Sequence, residues 1–198
     1  MEDAGAYSLL DHLGEHGDAS ATAVAAGALA TMHAPIARPA PPDLLPLADG
    51  FVSLFAQARA AADPLIVEGA EVASALLADQ RDLRPLHGDF HHENLLLSDR
   101  GWLAIDGKGL IGDPGYDVAN LFYNPLHRDD LRLDPDRIRA MAAALAPAVG
   151  REPETVLRWA FAHACLSASW HLEDGNLENA ARSLRVAHAV RSVLREYG

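Results

Sequence analysis

The sequence predicts a mainly helical domain with a small β-hairpin element. Alanine-rich stretches occupy both ends of the chain, strand-like runs occur only near the middle, and prolines or glycines mark the boundaries. Alanine has the highest intrinsic helix propensity, so both ends favour helices. With 198 residues, the chain fits one domain or one large lobe with a sizeable core.

The first part of the chain is predicted to be helical. Asp18 or Ser20 can cap a helix that runs to about His33 and ends before Pro35. The run ARPAPPDLLP contains four prolines in ten residues and indicates an extended connector. Two further helices are expected over residues 47–61 and 64–78, the second with a proline in its first turn.

Strand-like runs appear next. RPLHG, ENLLLS and GWLAID are short and separated by turn residues, and SDRG (residues 98–101) joins the last two as a hairpin. After Asp113, helices are predicted over residues 116–123, 135–146, 153–172 and 177–196, with Gly175 between the last two. The single domain is therefore divided into residues 1–84, a polar segment at 85–125, and C-terminal helices at 126–198.

The acidic composition limits the class of partner. The formal net charge of −12 argues against nucleic acid or an anionic membrane, since both select basic surfaces. It is compatible with a cationic small molecule. Cys165 is the only cysteine, which excludes an intrachain disulfide and a thiolate-rich metal site and fits a packed helix thiol. No signal-peptide pattern opens the chain, and its longest apolar stretch, residues 19–34, is too weakly apolar for a bilayer. A cytoplasmic protein is expected.

The run LHGDFHHENLLL, residues 86–97, concentrates groups that bind metals or move protons. One interpretation is a metallohydrolase site, because His/Asp clusters bind zinc. The cluster members are His87, Asp89, His91 and His92. Such a tightly spaced set needs a distant ligand to complete it, and the candidates are Asp106, His127 and His163.

The other interpretation is phosphoryl transfer. That reaction needs a carboxylate to orient the acceptor hydroxyl and oxygen ligands for Mg²⁺. Asp89 supplies a carboxylate after a predicted strand, Asn94 follows five residues later, and Asp106 ends the strand-like run WLAID. Because the two strands of a hairpin pair antiparallel, Asn94 and Asp106 are expected at the same end of it.

The segments HGDFHHEN and LAIDGKGLIGDPGYDVANLF resemble the catalytic segment of the aminoglycoside phosphotransferase superfamily. The likeness is greatest to its streptomycin 6-kinase and hydroxyurea phosphotransferase branch. It is strong over residues 86–125 and looser in the flanking helices. The resemblance implies the C-terminal lobe of a protein-kinase-like fold and an antibiotic-resistance kinase. It also implies ATP as the phosphoryl donor, Mg²⁺ as the metal, and streptomycin or hydroxyurea as the acceptor.

The resemblance also assigns roles to individual residues. Asp89 matches the catalytic base, and Asn94 and Asp106 match the two Mg²⁺ ligands. His87 and Asp117 match residues that organise the catalytic loop.

Other positions remain candidates. Lys108 follows Asp106 at a position where it contacts phosphate or pairs with a carboxylate. Glu93 stands where the branch often has glycine. The candidate substrate-binding residues are His91, His92, Trp170, Glu173 and Asp174.

A nucleotide-clamping lobe is not evident in the sequence. No G-x-G-x-x-G motif occurs before His87, and Lys108 is the only lysine of the chain. We therefore expect a C-terminal lobe without its N-terminal lobe: a truncated product, a misassigned start, or a partner of a separately encoded lobe. Weak or absent kinase activity of the isolated chain follows, and a noncatalytic remnant of the same fold is the alternative. The apolar residues Leu9, Leu10 and Leu13 either drive self-association or pack within the lobe.

Overall fold

The computed structural model describes residues 5–35, 40–60 and 63–197. Within them, helices predominate and two small three-stranded sheets lie beside them, so the predicted mainly helical class is confirmed. The β content exceeds the predicted hairpin, because three short strands were not predicted: β1 (Tyr7–Ser8), β2 (Leu45–Pro46) and β6 (Leu110–Gly112).

The first helix of the described residues was not predicted as such. Helix α1 (Leu9–His16) starts at a capping box, in which Ser8 and Asp11 satisfy each other's backbone N–H groups. Helix α2 (Asp18–Met32) confirms the first predicted helix, but its N-cap is Gly17 rather than Asp18 or Ser20. The Asp18 carboxylate instead accepts a 2.9 Å hydrogen bond from Nε of Arg137.

The connector and the next helices follow the prediction in part. Residues 36–39 of the Pro-rich run lie outside the described residues, and its end forms strand β2. The segment predicted as one helix over 47–61 is a 3₁₀ turn, Leu47–Phe51, followed by α3 (Val52–Arg59). Helix α4 (Pro64–Ala78) has the predicted bounds, and the Asp63 side chain caps it.

The strands form two sheets, and the polar segment at residues 85–125 contributes strands to both. In the first, the order is β1–β4–β5, where β4 (Leu95–Ser98) and β5 (Gly101–Ala104) form the predicted hairpin with Ser98 opposite Gly101. In the second, β6 lies between β2 and β3 (Arg84–Leu86). Because β3 and β6 are antiparallel, the chain leaving β3 passes beside the chain that enters β6.

The remaining helices build the core against which these sheets pack. After a 3₁₀ turn, Pro114–Val118, they are α5 (Ala119–Tyr123), α6 (Asp129–Arg132), α7 (Pro135–Leu145), α8 (Pro153–Glu173) and α9 (Leu177–Leu194). Only α6 was not predicted. Gly175, in the left-handed region at φ 70°, separates α8 from α9.

The core explains two predictions about apolar residues. Cys165 is fully buried on α8, as expected for a packed thiol. Leu9 and Leu13 of α1 are also buried and pack within the fold, whereas Leu10 is half-buried. Self-association through this face stays a prediction. In the described ranges, no helix has the length and apolarity needed to cross a membrane.

Candidate active site

Asp117 holds the start of the polar loop that follows β3. One of its carboxylate oxygens accepts the backbone N–H of His87 at 2.9 Å, and the other accepts that of Gly88 at 2.8 Å. The side chain is fully buried, and Nε2 of His33 lies 3.0 Å from Oδ2. Gly88 adopts φ 78°, and a Cβ there would lie 2.8 Å from a Leu110 methyl group. Asp117 thus fixes the backbone at the start of the loop, and its loop-organising role in a kinase stays a prediction.

The ring of His87 joins this loop to the end of β5. Nε2 donates to the Ile105 carbonyl at 2.7 Å, and Nδ1 accepts the backbone N–H of Asp89 at 3.3 Å. The backbone carbonyl of His87 also accepts the Lys108 N–H at 2.7 Å. His87 is buried, so its hydrogen bonds fix Asp89 relative to the residues that follow β5.

Asn94 and Asp106 lie together at one end of the hairpin, as predicted. Leu95 pairs with Ala104, and the Ile105 N–H donates to the Asn94 carbonyl at 2.9 Å. The Asn94 amide also donates to the backbone carbonyl of Asp89 at 2.9 Å and to its carboxylate at 3.3 Å. Asp106 adopts φ 62°, an uncommon conformation for a residue other than glycine. The structure therefore brings together the three residues of the predicted phosphoryl-transfer set.

Lys108 lies between two carboxylates of this set. Its Nζ is 2.6 Å from Oδ2 of Asp106 and 3.3 Å from Oδ2 of Asp89. The hydrogen bond lowers the pKa of the Asp106 carboxyl and raises that of the Lys108 ammonium. Lys108 thus pairs with carboxylates, and its contact with phosphate stays a prediction.

A buried chain of hydrogen bonds, which the sequence did not indicate, reaches Asp89 from the other side. Asn120 Nδ2 donates to Asp89 Oδ1 at 2.7 Å. The Asn120 amide oxygen lies 3.2 Å from Nε2 of His163, whose Nδ1 lies 3.2 Å from the Tyr116 hydroxyl. Burial lowers the pKa of His163 to about 4, so its ring is neutral at pH 7. A neutral ring that accepts from Tyr116 and donates to Asn120 fits every contact in the chain.

The two adjacent histidines have different surroundings. His91 lies beside the predicted base, with Nε2 3.7 Å from Asp89 Oδ1, and burial lowers its pKa. His92 is buried behind the loop, its backbone carbonyl accepts the Leu10 N–H at 3.2 Å, and burial lowers its pKa to about 3. His91 thus lies beside the Asp89 carboxylate, whereas His92 packs the loop against α1.

A cleft of about 450 Å³ opens over Asp89. Its lining includes Asp89, His91, Glu93, Lys108, Tyr123 and Trp170. Trp170 is 40% exposed, so part of its indole ring is accessible at the cleft. In the sequence, Glu93 differs from the resemblance only by standing where glycine is frequent, and its position at the cleft was not predicted.

Glu173 and Asp174 do not line this cleft. They lie at the exposed end of α8, where the Ser53 hydroxyl donates to the Glu173 carboxylate at 2.8 Å. The expectation that these two acids face the substrate beside Trp170 is therefore not supported by their positions.

The donor set suits Mg²⁺ better than zinc. Across the described ranges, no three His, Cys, Asp or Glu side chains are arranged to hold a metal ion. Mg²⁺ instead binds through one or two carboxylates together with substrate phosphates. Asp106 and Asn94 offer such oxygens, and the Lys108 ammonium beside Asp106 shows that a positive charge is accommodated at this point.

Comparison with known proteins agrees with this geometry. Residues 1–175 match the family model of the aminoglycoside/hydroxyurea antibiotic resistance kinases. The chain belongs to this family. It is 46% identical over 150 residues to a streptomycin 3''-kinase of Klebsiella pneumoniae, covering 74% of this chain and 55% of that protein. It is 30% identical over 182 residues to a streptomycin 6-kinase of Streptomyces griseus, covering 87% and 58% respectively.

A more distant relative is the other kind of kinase named for the branch that the sequence resembles. A hydroxyurea phosphotransferase of Kitasatospora aureofaciens is 29% identical over 119 residues, which cover 60% of this chain and 33% of that protein. The chain spans a little over half the length of the streptomycin kinases that it matches.

Proposed function

We propose that this chain carries the catalytic segment of an ATP-dependent phosphotransferase that modifies an alcohol group of an aminoglycoside. The observation that supports this most directly is the arrangement of Asp89. Its carboxylate lines the cleft and is 30% exposed. The amides of Asn94 and Asn120 donate hydrogen bonds to its oxygens. The Lys108 ammonium contacts both this carboxylate and that of Asp106. A base held in this way can orient an acceptor hydroxyl and take its proton.

In this proposal, each residue of the set has one task. Asp89 accepts a hydrogen bond from the acceptor hydroxyl and takes its proton as the phosphoryl group is transferred. Asn94 and Asp106 supply oxygens to Mg²⁺, which neutralises charge on the ATP phosphates when it is bound. Asp117 and His87 hold these groups in place through the loop backbone. Most of the catalytic effect in phosphoryl transfer comes from such positioning and charge stabilisation.

The cleft favours a cationic sugar over a very small acceptor. The carboxylates of Asp89 and Glu93 line it together with Trp170, so it offers negative charge and an aromatic face. Guanidinium groups pair well with carboxylates, and aromatic faces attract cations. Streptomycin carries two guanidinium groups, whereas hydroxyurea would need neither feature. We therefore place streptomycin first among acceptors, although the matched relatives differ in the hydroxyl that their names specify.

The proposal includes a second lobe. The chain corresponds to a C-terminal lobe of a protein-kinase-like fold, and ATP is bound between it and a lobe that supplies the phosphate-binding lysine. The coverage of a little over half of the streptomycin kinases supports this part of the proposal.

The test compares the chain alone with a fusion. The fusion adds the part of the Klebsiella streptomycin 3''-kinase that this chain does not match. Each protein is incubated with ATP, Mg²⁺ and streptomycin or hydroxyurea, and phosphorylated product is detected by mass spectrometry, with its position assigned by NMR. We expect product from the fusion and little from the chain alone.

Paired variants make this test specific. Asp89→Asn in the fusion should abolish product, whereas Asp136→Asn, at a side chain that is 91% exposed on α7, should not. A folded fusion that binds streptomycin but yields no product would favour the alternative, a noncatalytic binding lobe. Product from Asp89→Asn at the unmodified rate would contradict the role of Asp89.

A further inference from the structure

Lys108 occupies a position where a cation is held by two carboxylates. Its ammonium lies 2.6 Å from Asp106 and 3.3 Å from Asp89. These are the proposed metal ligand and the proposed base. The lysine is also the only one in the chain. Its ammonium thus supplies the positive charge between two acidic groups that would otherwise repel each other.

The backbone around Lys108 is held by hydrogen bonds, whereas its side chain is partly exposed. The Lys108 N–H donates to the His87 carbonyl at 2.7 Å, and the carbonyl of Gly109 accepts the Leu45 N–H at 2.9 Å. The side chain itself is 44% exposed and borders the cleft. A partly exposed ion pair on a flexible stem is held weakly. The ammonium can therefore leave the carboxylates without any change in the loop.

We propose that Lys108 is a placeholder for the divalent metal, and that Mg²⁺ displaces its ammonium from Asp106 into the cleft. The inference rests on the metal site of the proposed function. A divalent ion carries twice the charge of the ammonium and prefers the same carboxylate oxygens. Once displaced, the ammonium stays beside Asp89 at the border of the cleft, where it can neutralise the phosphoryl group that is transferred.

The single lysine allows a direct measurement of this displacement. When the full chain is labelled with ¹³C at the lysine ε-carbon, the lysine side-chain signal in a ¹H–¹³C spectrum belongs to Lys108 alone. We expect this signal to shift saturably as MgCl₂ is added, and not when NaCl is added to equal ionic strength. In Asp106→Asn, MgCl₂ should leave the signal nearly unchanged, because the metal ligand is lost.

Metal affinity gives a second readout that needs no catalysis. Mn²⁺ replaces Mg²⁺ in such sites, and its binding is measured by electron paramagnetic resonance. Lys108→Met should bind Mn²⁺ about three- to tenfold more tightly than the unmodified chain, since the competing ammonium is removed. Arg128→Met is the matched control, because it also removes the cation of an exposed ion pair, in which Arg128 lies 2.7 Å from Asp130. It should leave Mn²⁺ affinity unchanged.

The outcomes separate this inference from the proposed function. If Mn²⁺ binds equally well to Lys108→Met and to the unmodified chain, and Mg²⁺ leaves the lysine signal in place, the placeholder role is wrong while the metal site stands. If neither protein binds Mn²⁺ even with ATP present, both are wrong. Tighter binding by Lys108→Met together with the Mg²⁺-dependent shift supports both.

Discussion

Asn120 donates a 2.7 Å hydrogen bond to Oδ1 of Asp89 from a helix thirty-one residues further along the chain. The same amide accepts from His163 on α8 and from Asn124 at 3.0 Å. One amide thus connects the predicted base to the helical core. The orientation of Asp89 is therefore set from two sides, by Asn94 in its own loop and by Asn120 behind it.

Replacing Asn120 with alanine should slow transfer more than it weakens acceptor binding. The variant removes one of the two side-chain amides that hold the Asp89 carboxylate, so the base loses its alignment; we expect a loss of about 10- to 100-fold in kcat. The streptomycin Kd should change little. The measurement is steady-state phosphorylation by the fusion protein, with a parallel binding titration. Asn179→Ala on α9, which loses a contact with Arg182, serves as the control. Equal losses in kcat and affinity would contradict a positioning role.

Replacing Asp117 with alanine should destabilise the fold. Its carboxylate is fully buried, lies 3.0 Å from the His33 ring, and accepts hydrogen bonds from two backbone N–H groups. Leaving these buried donors unpaired costs about 1–3 kcal/mol for each group, so we expect a loss of about 2–5 kcal/mol. Urea denaturation followed by circular dichroism measures it. Asp136→Ala, at an exposed ion pair, should change the free energy of unfolding by less than about 1 kcal/mol. Similar values for both variants would contradict this interpretation of Asp117.

Stability should fall as the pH decreases through the range where His163 titrates. Burial lowers the pKa of His163 from 6.5 to about 4. Between these values the unfolded chain binds a proton that the folded chain does not, so the free energy of unfolding decreases by about 1.4 kcal/mol per pH unit. When the free energy of unfolding is measured by urea denaturation at several pH values, its decrease per pH unit between pH 6.5 and pH 4.5 should be smaller by about this amount in His163→Gln. His16→Gln, on the exposed end of α1, is the control. An unchanged slope for His163→Gln would count against a neutral buried ring.

The parts of the site that the sequence predicted are those encoded locally. The turn SDRG determines the register of the hairpin, and that register places Asn94 beside the chain that leads to Asp106. The loop after β3 carries Asp89 five residues before Asn94. The turn of the hairpin and the three side chains of Asp89, Asn94 and Asp106 therefore belong to one short segment, so the sequence of that segment is enough to predict their proximity.

The parts that were missed depend on distant contacts. Strand β1 has two residues and pairs with Leu96 and Leu97, far along the chain, so no periodicity identifies it. Asn120 and His163 approach Asp89 only because α5 packs against α8. Glu173 lies one turn beyond Trp170, where its carboxylate accepts a hydrogen bond from the Ser53 hydroxyl on α3. Which acid faces the cleft depends on where helices meet, and this is a property of tertiary packing.

Glu93 should contribute to aminoglycoside affinity, and Glu173 should not. Glu93 lines the cleft beside Asp89, whereas Glu173 lies outside it. Glu93→Gln removes a negative charge opposite a cationic sugar and should weaken streptomycin binding about three- to tenfold, less so as salt rises. Glu173→Gln is the matched substitution and should leave the Kd unchanged. Isothermal titration calorimetry of the chain at two salt concentrations measures both. If Glu173→Gln weakened streptomycin binding and Glu93→Gln did not, the acceptor site would lie at the end of α8 instead.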